Sequence, residues 1–266
     1  MIPIIILNYP KIQRILGLIY DIIANMIPLF SRFPWRDRGY ALLSGNGVEI
    51  GALHEPAIIP AGVNVSYVDV VTREEAISFF PELDSSLHKD FVKVDHIVNI
   101  EKEGLRKFQD STLDFVILNH VLEHIANPIF VLGECFRVIK AGGRLVISIP
   151  DKRFTFDKNR DITTLDHLWS EYDAGVNEVS DDHYVDFLRG VHPHLATLSP
   201  SDMQIHIEGV RRRREHAHVW DSFAWEQFLT SVFEKCKIQA ICLYKVTGDE
   251  TNFEYFAVWR KEAMEQ

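Results

Sequence analysis

Five short apolar runs, Val48–Ile50, Val63–Val70, Phe91–Val94, Leu113–Leu118 and Arg144–Ile149, constrain this chain more than any other feature. Runs of this kind read as strands buried on both faces, and helices between them make the crossovers that parallel strands require. Helix signals lie where those crossovers need them. Thr72 opens a helix through Phe80, with Glu75 placed to close a capping box. Glu101–Phe108 reads as a short helix. Asn127-Pro128 opens another that runs to Lys140, with Ile129, Leu132, Phe136 and Ile139 on one face, until Ala141-Gly142-Gly143 stops it.

The rhythm breaks between Pro150 and Val219, a stretch rich in Asp, His, Pro and Arg, in which Thr163–Tyr172 and Ser201–Glu208 read as helices. Phe154, Phe156, Trp169, Tyr172, Tyr184 and Phe187 argue against disorder there. Because the stretch leaves from the carboxyl end of the fifth strand, it is predicted to cap the site. Regular order returns with a helix over Ser222–Phe233 and two strands, Ile238–Val246 and Phe253–Trp259, joined at Thr247-Gly248-Asp249. The predicted fold class is α/β: a Rossmann-like, mostly parallel seven-stranded sheet with a C-terminal antiparallel hairpin and a cap insertion at 150–219. A length of 266 residues suits one such domain over 41–266, preceded by an extension and linker over 1–40.

Within that extension, Lys11–Met26 reads as a helix with Ile12, Ile15, Leu16, Ile19, Ile22, Ile23 and Met26 on one face. Lys11, Arg14 and Asp21 interrupt it, so it lacks the uncharged length of a membrane span, and it lacks the pattern of a secretory signal. Two readings stay open: packing on its own domain or on a partner subunit in a homodimer, or contact with a membrane surface. Phe30–Gly47, with Pro34, Gly39, Gly45 and Gly47, reads as a linker. Cys135, Cys236 and Cys242 form no CxxC pair and read as small hydrophobes of a reducing compartment. The expected location is the cytoplasm, at most peripheral to the inner face of the membrane. A net charge of -10 argues against double-stranded nucleic acid as a partner, because phosphate binding needs a basic footprint. The one basic run, Arg211–Arg214, reads as a solvated helix end or an anion contact.

Open α/β sheets bind ligands at the carboxyl ends of their strands, so polar residues there are the candidates. Gly51 lets the backbone approach a ligand, although a single glycine is not the dinucleotide fingerprint, and there is no GxxxxGK loop. Asp69 can accept both hydroxyls of a ribose or cap the helix after it. Asp95 can accept from an adenine amino group or from a backbone amide. Asn119, His120 and His124 follow the fourth strand, and the two histidines share a helical face. Val121 stands where the zinc-protease motif needs glutamate, so no metal ligand is assigned. Asp151, Lys152 and Arg153 follow the fifth strand. There the two bases either hold an anionic acceptor, such as a phosphate or uronate, or pair within the loop.

The segments Val48–Pro56, Leu113–Val116, Asn119–His124, Phe136–Gly143 and Pro150–Asp157 together give a resemblance. The chain resembles the class I S-adenosylmethionine-dependent methyltransferases, specifically the methyltransferase-domain proteins found with bacterial glycan-biosynthesis genes. The resemblance spans roughly 45–160 and continues weakly through His216, His218 and Trp220. It implies S-adenosyl-L-methionine as cofactor, Glu49 and Gly51 in the cofactor motif, Asp69 at the ribose, Asp95 near the adenine, and Asn119 and His120 on the methionine side. The chain departs from the family's glycine-rich loop, since Ala52, Leu53 and His54 follow Gly51. The implied activity is methylation of a small-molecule or carbohydrate acceptor, at an oxygen. His120 or His124 is the expected base, and His216 and His218 are further candidates. Two alternatives remain. The sparse loop suits a catalytically inactive binding or scaffold protein, and the histidine-rich cap suits a metal-dependent small-molecule hydrolase. Absence of G-x-S-x-G disfavours a serine hydrolase.

Overall fold

The structure, a computed structural model, describes residues 32–79, 85–195 and 198–263. The predicted helix at 11–26, and with it the membrane and dimer readings, lies outside the described residues.

Seven strands form one sheet in the order β3-β2-β1-β4-β5-β7-β6. They are β1 (Asn46–Ile50), β2 (Asn64–Asp69), β3 (His96–Ile97), β4 (Leu113–Asn119), β5 (Ile139–Pro150), β6 (Ala240–Val246) and β7 (Glu254–Lys261). Strands β3, β2, β1, β4 and β5 pair in parallel, whereas β7 runs antiparallel to both β5 and β6. This is the predicted Rossmann-like sheet with its antiparallel closure. The order reverses between β1 and β4, which opens a crevice at their carboxyl ends.

Strand β4 shows how the core is divided. Val116 and Leu118 enter one apolar cluster, with Ile129, Leu132, Trp225 and Phe228 from the helices α4 (Pro128–Val138) and α8 (Ser222–Lys235). Phe115 and Ile117 enter the cluster on the opposite face, with Tyr40, Leu43, Val146 and Phe256. The period of two along a strand does this sorting.

The segment read as a linker is instead partly helical. Helix α1 (Pro34–Tyr40) has Pro34 in its first turn and packs on β6 and β7. A Cβ at Gly39 would lie 2.3 Å from the Phe256 ring, so the glycine sets how closely α1 approaches the sheet. The third strand is also displaced. Phe91–Val94 is irregular because its backbone is satisfied elsewhere: Arg73 donates to the Phe91 carbonyl at 2.9 Å and Val92 N–H to Leu53 O at 2.9 Å. The capping box forms as expected at the start of α2 (Arg73–Phe79), with Thr72 N–H donating to Glu75 Oε2 at 2.8 Å. Helix α3 spans Ile100–Glu103 and so ends well short of the predicted Phe108. The hairpin turn is a single helical turn, α9 (Gly248–Thr251), closed by its own Thr247/Glu250 capping box.

Residues 150–219 carry α5 (Leu165–Asp173), α6 (Asp181–Val191) and α7 (Pro200–Arg213). Helix α6 has no counterpart in the sequence reading. A small core of its own, including Val179, Tyr184, Phe187, Leu188, Met203 and Ile207, holds α6 and α7 together, whereas Leu168 of α5 enters the main cluster. Among the described residues no helix is long and apolar enough to cross a membrane.

Candidate active site

Two cavities meet at the carboxyl ends of β1, β2 and β4. One is a cleft lined by Asp69, Val70, Val71, Val98, Ile100 and Ile125. The other is bordered by Phe33, Arg36, Glu55, Asn119, Glu215 and Phe253. Gly51, Leu53, His120, His124 and Arg213 line both.

In the first cleft, Gly51 adopts φ +69°, and a Cβ there would come within 3.1 Å of Val121 Cγ2. A glycine therefore keeps the turn unstrained and the wall open. Asp69 follows with one carboxylate oxygen, Oδ1, accepting from Val70 N–H at 2.7 Å. Its Oδ2 accepts no hydrogen bond among the described residues and is available to a ligand. Burial raises the Asp69 carboxyl, opposed by the Val70 and Val71 amides and by Arg214. Arg214, in the left-handed conformation that ends α7, closes the cleft from the cap and donates to Glu101 at 3.1 Å. The arginine run is thus a helix end folded over the cleft.

Glu49 does not line either cavity. Alternation along β1 sends Ile50 to the cleft and Glu49 to the opposite face, where both its oxygens accept from Ala57 N–H at 3.1 and 3.0 Å. Burial pushes its carboxyl up to about 7. Glu49 therefore clamps the loop after Gly51 to the sheet. Asn119 lines the second cavity, donates to Tyr40 Oη at 2.8 Å and accepts from Ser148 at 3.3 Å.

His120 stands between the cavities with φ +52°, an uncommon conformation for a non-glycine residue. Its ring stacks on Phe253 at 5.2 Å, and its Nε2 lies 2.7 Å from Glu254 Oε2. Glu254 also accepts from Trp35 at 2.7 Å and from Arg36 at 2.8 and 2.5 Å. Burial pushes the Glu254 carboxyl up, but the hydrogen bonds and charges of Arg36 and His120 outweigh it and hold it at about 2. An ionised Glu254 accepts the Nε2 proton and leaves Nδ1 of His120 as the basic nitrogen. That Nδ1 is 3.7 Å from Glu123, which is fully buried with neither oxygen hydrogen-bonded.

His124 donates from Nδ1 to the Arg214 carbonyl at 2.5 Å and meets the His216 ring edge-on at 4.6 Å. Burial lowers its pKa to about 3, so its imidazole is neutral. His216 is one layer behind. It donates from Nδ1 to Asp157 at 2.6 Å, and Asp157 pairs with Arg160 at 2.8 Å.

Other candidates fall away from the cavities. Asp95 precedes β3 rather than ending the third strand, is exposed, and accepts from Tyr67 N–H at 2.9 Å. Asp151 is fully buried and accepts from the amide and hydroxyl of Ser222 at 2.9 and 2.8 Å. Arg153 bridges Asp151 and Asp249 at 2.8 Å to each, and Lys152 lines neither cavity. Asp151 and Arg153 pin the cap to α8 and α9, as the loop-pairing alternative describes. His218 is buried, 3.3 Å from the Ala126 carbonyl, and belongs to a separate cluster. The residues that sequence reading missed are Arg36, Glu123, Phe253 and Glu254. A lone glutamate heading the buried run Tyr255–Val258 was the available signal for Glu254.

A sheet of this order, with a cleft at the β1–β4 switch point, defines the Rossmann-like fold class. Residues 61–147 match the family described as "Methyltransferase domain". A ubiquinone biosynthesis O-methyltransferase of Xanthomonas campestris is 24% identical over 139 residues, covering 52% of this chain and 53% of that protein. An uncharacterized protein of Methanocaldococcus jannaschii is 30% identical over 103 residues, 35% of this chain and 47% of that one. The chain spans about half the length of the curated relatives it matches. A solved Rhodobacter sphaeroides structure, whose name refers to Zn-dependent alcohol dehydrogenases, aligns over 86% of this chain and 90% of that one. Its TM-score is 0.50 at 13% identity, a likeness of fold alone. In sheet order and over residues 61–147 the chain is similar to the S-adenosylmethionine-dependent methyltransferases, a likeness that supports S-adenosylmethionine as cofactor.

The first cleft fits that cofactor. Asp69 Oδ2 could accept from a ribose there, and Val70, Val71, Val98 and Ile100 could wall an adenine. Open backbone at Gly51 and the Arg214 guanidinium suit the amino-acid end.

Proposed function

We propose that this protein methylates an oxygen of a small polar acceptor, and that the acceptor is of carbohydrate type. The observation that carries this reading is His120, on the wall common to both cavities and held by Glu254 at 2.7 Å. Bound S-adenosylmethionine supplies an activated methyl on a sulfonium. The protein's part is to align the acceptor, exclude water and take a proton. His120 takes the hydroxyl proton at Nδ1 while Glu254 steadies the imidazolium. Phe33 and Phe253, stacked on each other at 5.6 Å, form an apolar wall of the second cavity. Arg32, Glu55 and Glu215 line the same cavity and match hydroxyl-rich or charged groups. The relative named an O-methyltransferase supports oxygen, and the resemblance to methyltransferases of glycan-biosynthesis genes supports the carbohydrate class. The reading keeps the protein in the cytoplasm, with Cys135, Cys236 and Cys242 all free thiols.

The test is incubation of the full chain with methyl-labelled S-adenosylmethionine and parallel panels of sugar phosphates, nucleotide sugars, phenols and amines. Label should enter the carbohydrate panel, and His120→Ala should lower kcat by roughly 100-fold or more. Label confined to phenols or amines overturns the acceptor class; an unchanged kcat in a folded His120→Ala overturns the base.

A further inference from the structure

The cap holds a cluster that methyl transfer does not use. His167 and Glu171 stand one turn apart on α5, His183 lies in the first turn of α6, and His218 lies beyond α7. The Nε2 atoms of His167 and His183 are 3.1 Å apart. Glu171 Oε2 is 3.3 Å from His167 Nε2 and 3.6 Å from His218 Nε2, and Glu171 Oε1 is 3.3 Å from His183 Nε2. Zinc bonds of about 2.0–2.1 Å in a tetrahedron put neighbouring ligand atoms roughly 3.3–3.4 Å apart. The observed separations bracket that edge length.

Two further observations point the same way. Glu171 is buried, yet its Oε2 has no hydrogen-bond partner, an arrangement that is costly unless a cation meets it. Ser180 Oγ lies 2.9 Å from His183 Nδ1, so the ring is held from behind with Nε2 towards the cluster. Ligation replaces two contacts, His218 Nε2 to the Ala126 carbonyl at 3.3 Å and His167 Nε2 to His183 Nε2 at 3.1 Å.

We propose that His167, Glu171, His183 and His218 bind a divalent transition ion, zinc by the ligand set, as a structural site. Four protein ligands leave no open coordination position, which separates a structural site from a catalytic one. The ion ties α5 and α6 to residues 216–220. That segment donates from Ala217 and His218 N–H to the Glu123 carbonyl at 2.7 and 3.0 Å, one residue from His124. The site therefore fastens the cap beside the two cavities, and it stands whether or not the acceptor reading holds.

The experiment uses the full chain stripped by a chelator and titrated with zinc, followed by metal analysis and thermal melting. One zinc per chain and a higher Tm are expected. Cobalt in place of zinc should give the intense visible bands of a four-coordinate site. His167→Ala, at the exposed member, and Glu171→Gln should lose the metal and melt like stripped wild type. His124→Ala should keep it, which separates this site from the neighbouring Glu123, His124 and His216 group. No zinc uptake by the stripped wild type, a six-coordinate cobalt spectrum, or uptake lost in His124→Ala but kept in His167→Ala overturns the proposal. The wild-type titration decides even if a variant fails to fold.

Discussion

The Glu254 carboxylate lies 2.7 Å from His120 Nε2, joining the residue after β4 to the first residue of β7 across 134 positions of chain. The pair is closed on the far side by Arg36, so a histidine at the mouth of two cavities is oriented by a buried ion pair. Glu254→Gln keeps the shape and removes the charge. A charge-assisted hydrogen bond is worth about 1.5–3 kcal/mol, so kcat should fall roughly 10- to 100-fold while cofactor Kd is unchanged. Steady-state kinetics with calorimetry of the cofactor checks this; an equal loss in both would make Glu254 a general structural residue.

The same carboxylate predicts the acid limb of stability. Its folded pKa, about 2, lies below the ordinary 4.5. The stability it contributes is therefore fully present above about pH 4.5 and is lost as pH falls through 2. Urea midpoints between pH 2 and 6 should fall more steeply for wild type than for Glu254→Gln.

Glu49 has the opposite sign. Burial raises its folded pKa to about 7, so its contribution is fully present below about pH 4.5 and is lost as pH rises through 7. Stability of wild type relative to Glu49→Gln should decline over that window. A difference constant from pH 4 to 8 would show that Glu49 keeps an ordinary pKa.

Asp69→Ala removes the unpaired Oδ2 from the first cleft. Cofactor binding should weaken at least about tenfold, the loss of a charged hydrogen-bond partner, with an intact thermal transition. Unchanged affinity in the folded variant would leave Asp69 as a residue that only caps the turn before α2.

Arg153→Ala cuts the link from Asp151 to Asp249. It should lower Tm and leave the acceptor KM within about twofold, because neither cavity includes it. A large rise in KM with an unchanged Tm would return Arg153 to the acceptor site.

The apolar runs, the Thr72/Glu75 capping box and the positions of Gly51 and Asp69 at strand ends were legible in the sequence. Each depends on residues a few positions apart, where backbone geometry alone sets the neighbours. Even the fate of Glu49 follows from parity with Ile50, once β1 is known to be covered on both faces. Phe91–Val94 has strand composition, but Arg73 and Leu53 satisfy its backbone groups instead of a ladder. Which histidine meets which carboxylate was not legible. Glu254 reaches His120 only because β7 inserts beside β5 in the sheet, and Arg36 reaches Glu254 only because Gly39 lets α1 settle onto Phe256. The convergence of His167, Glu171, His183 and His218 likewise waits on the packing of α5 and α6. Periodicity specifies which face a side chain takes, but only strand order and packing decide what stands opposite it.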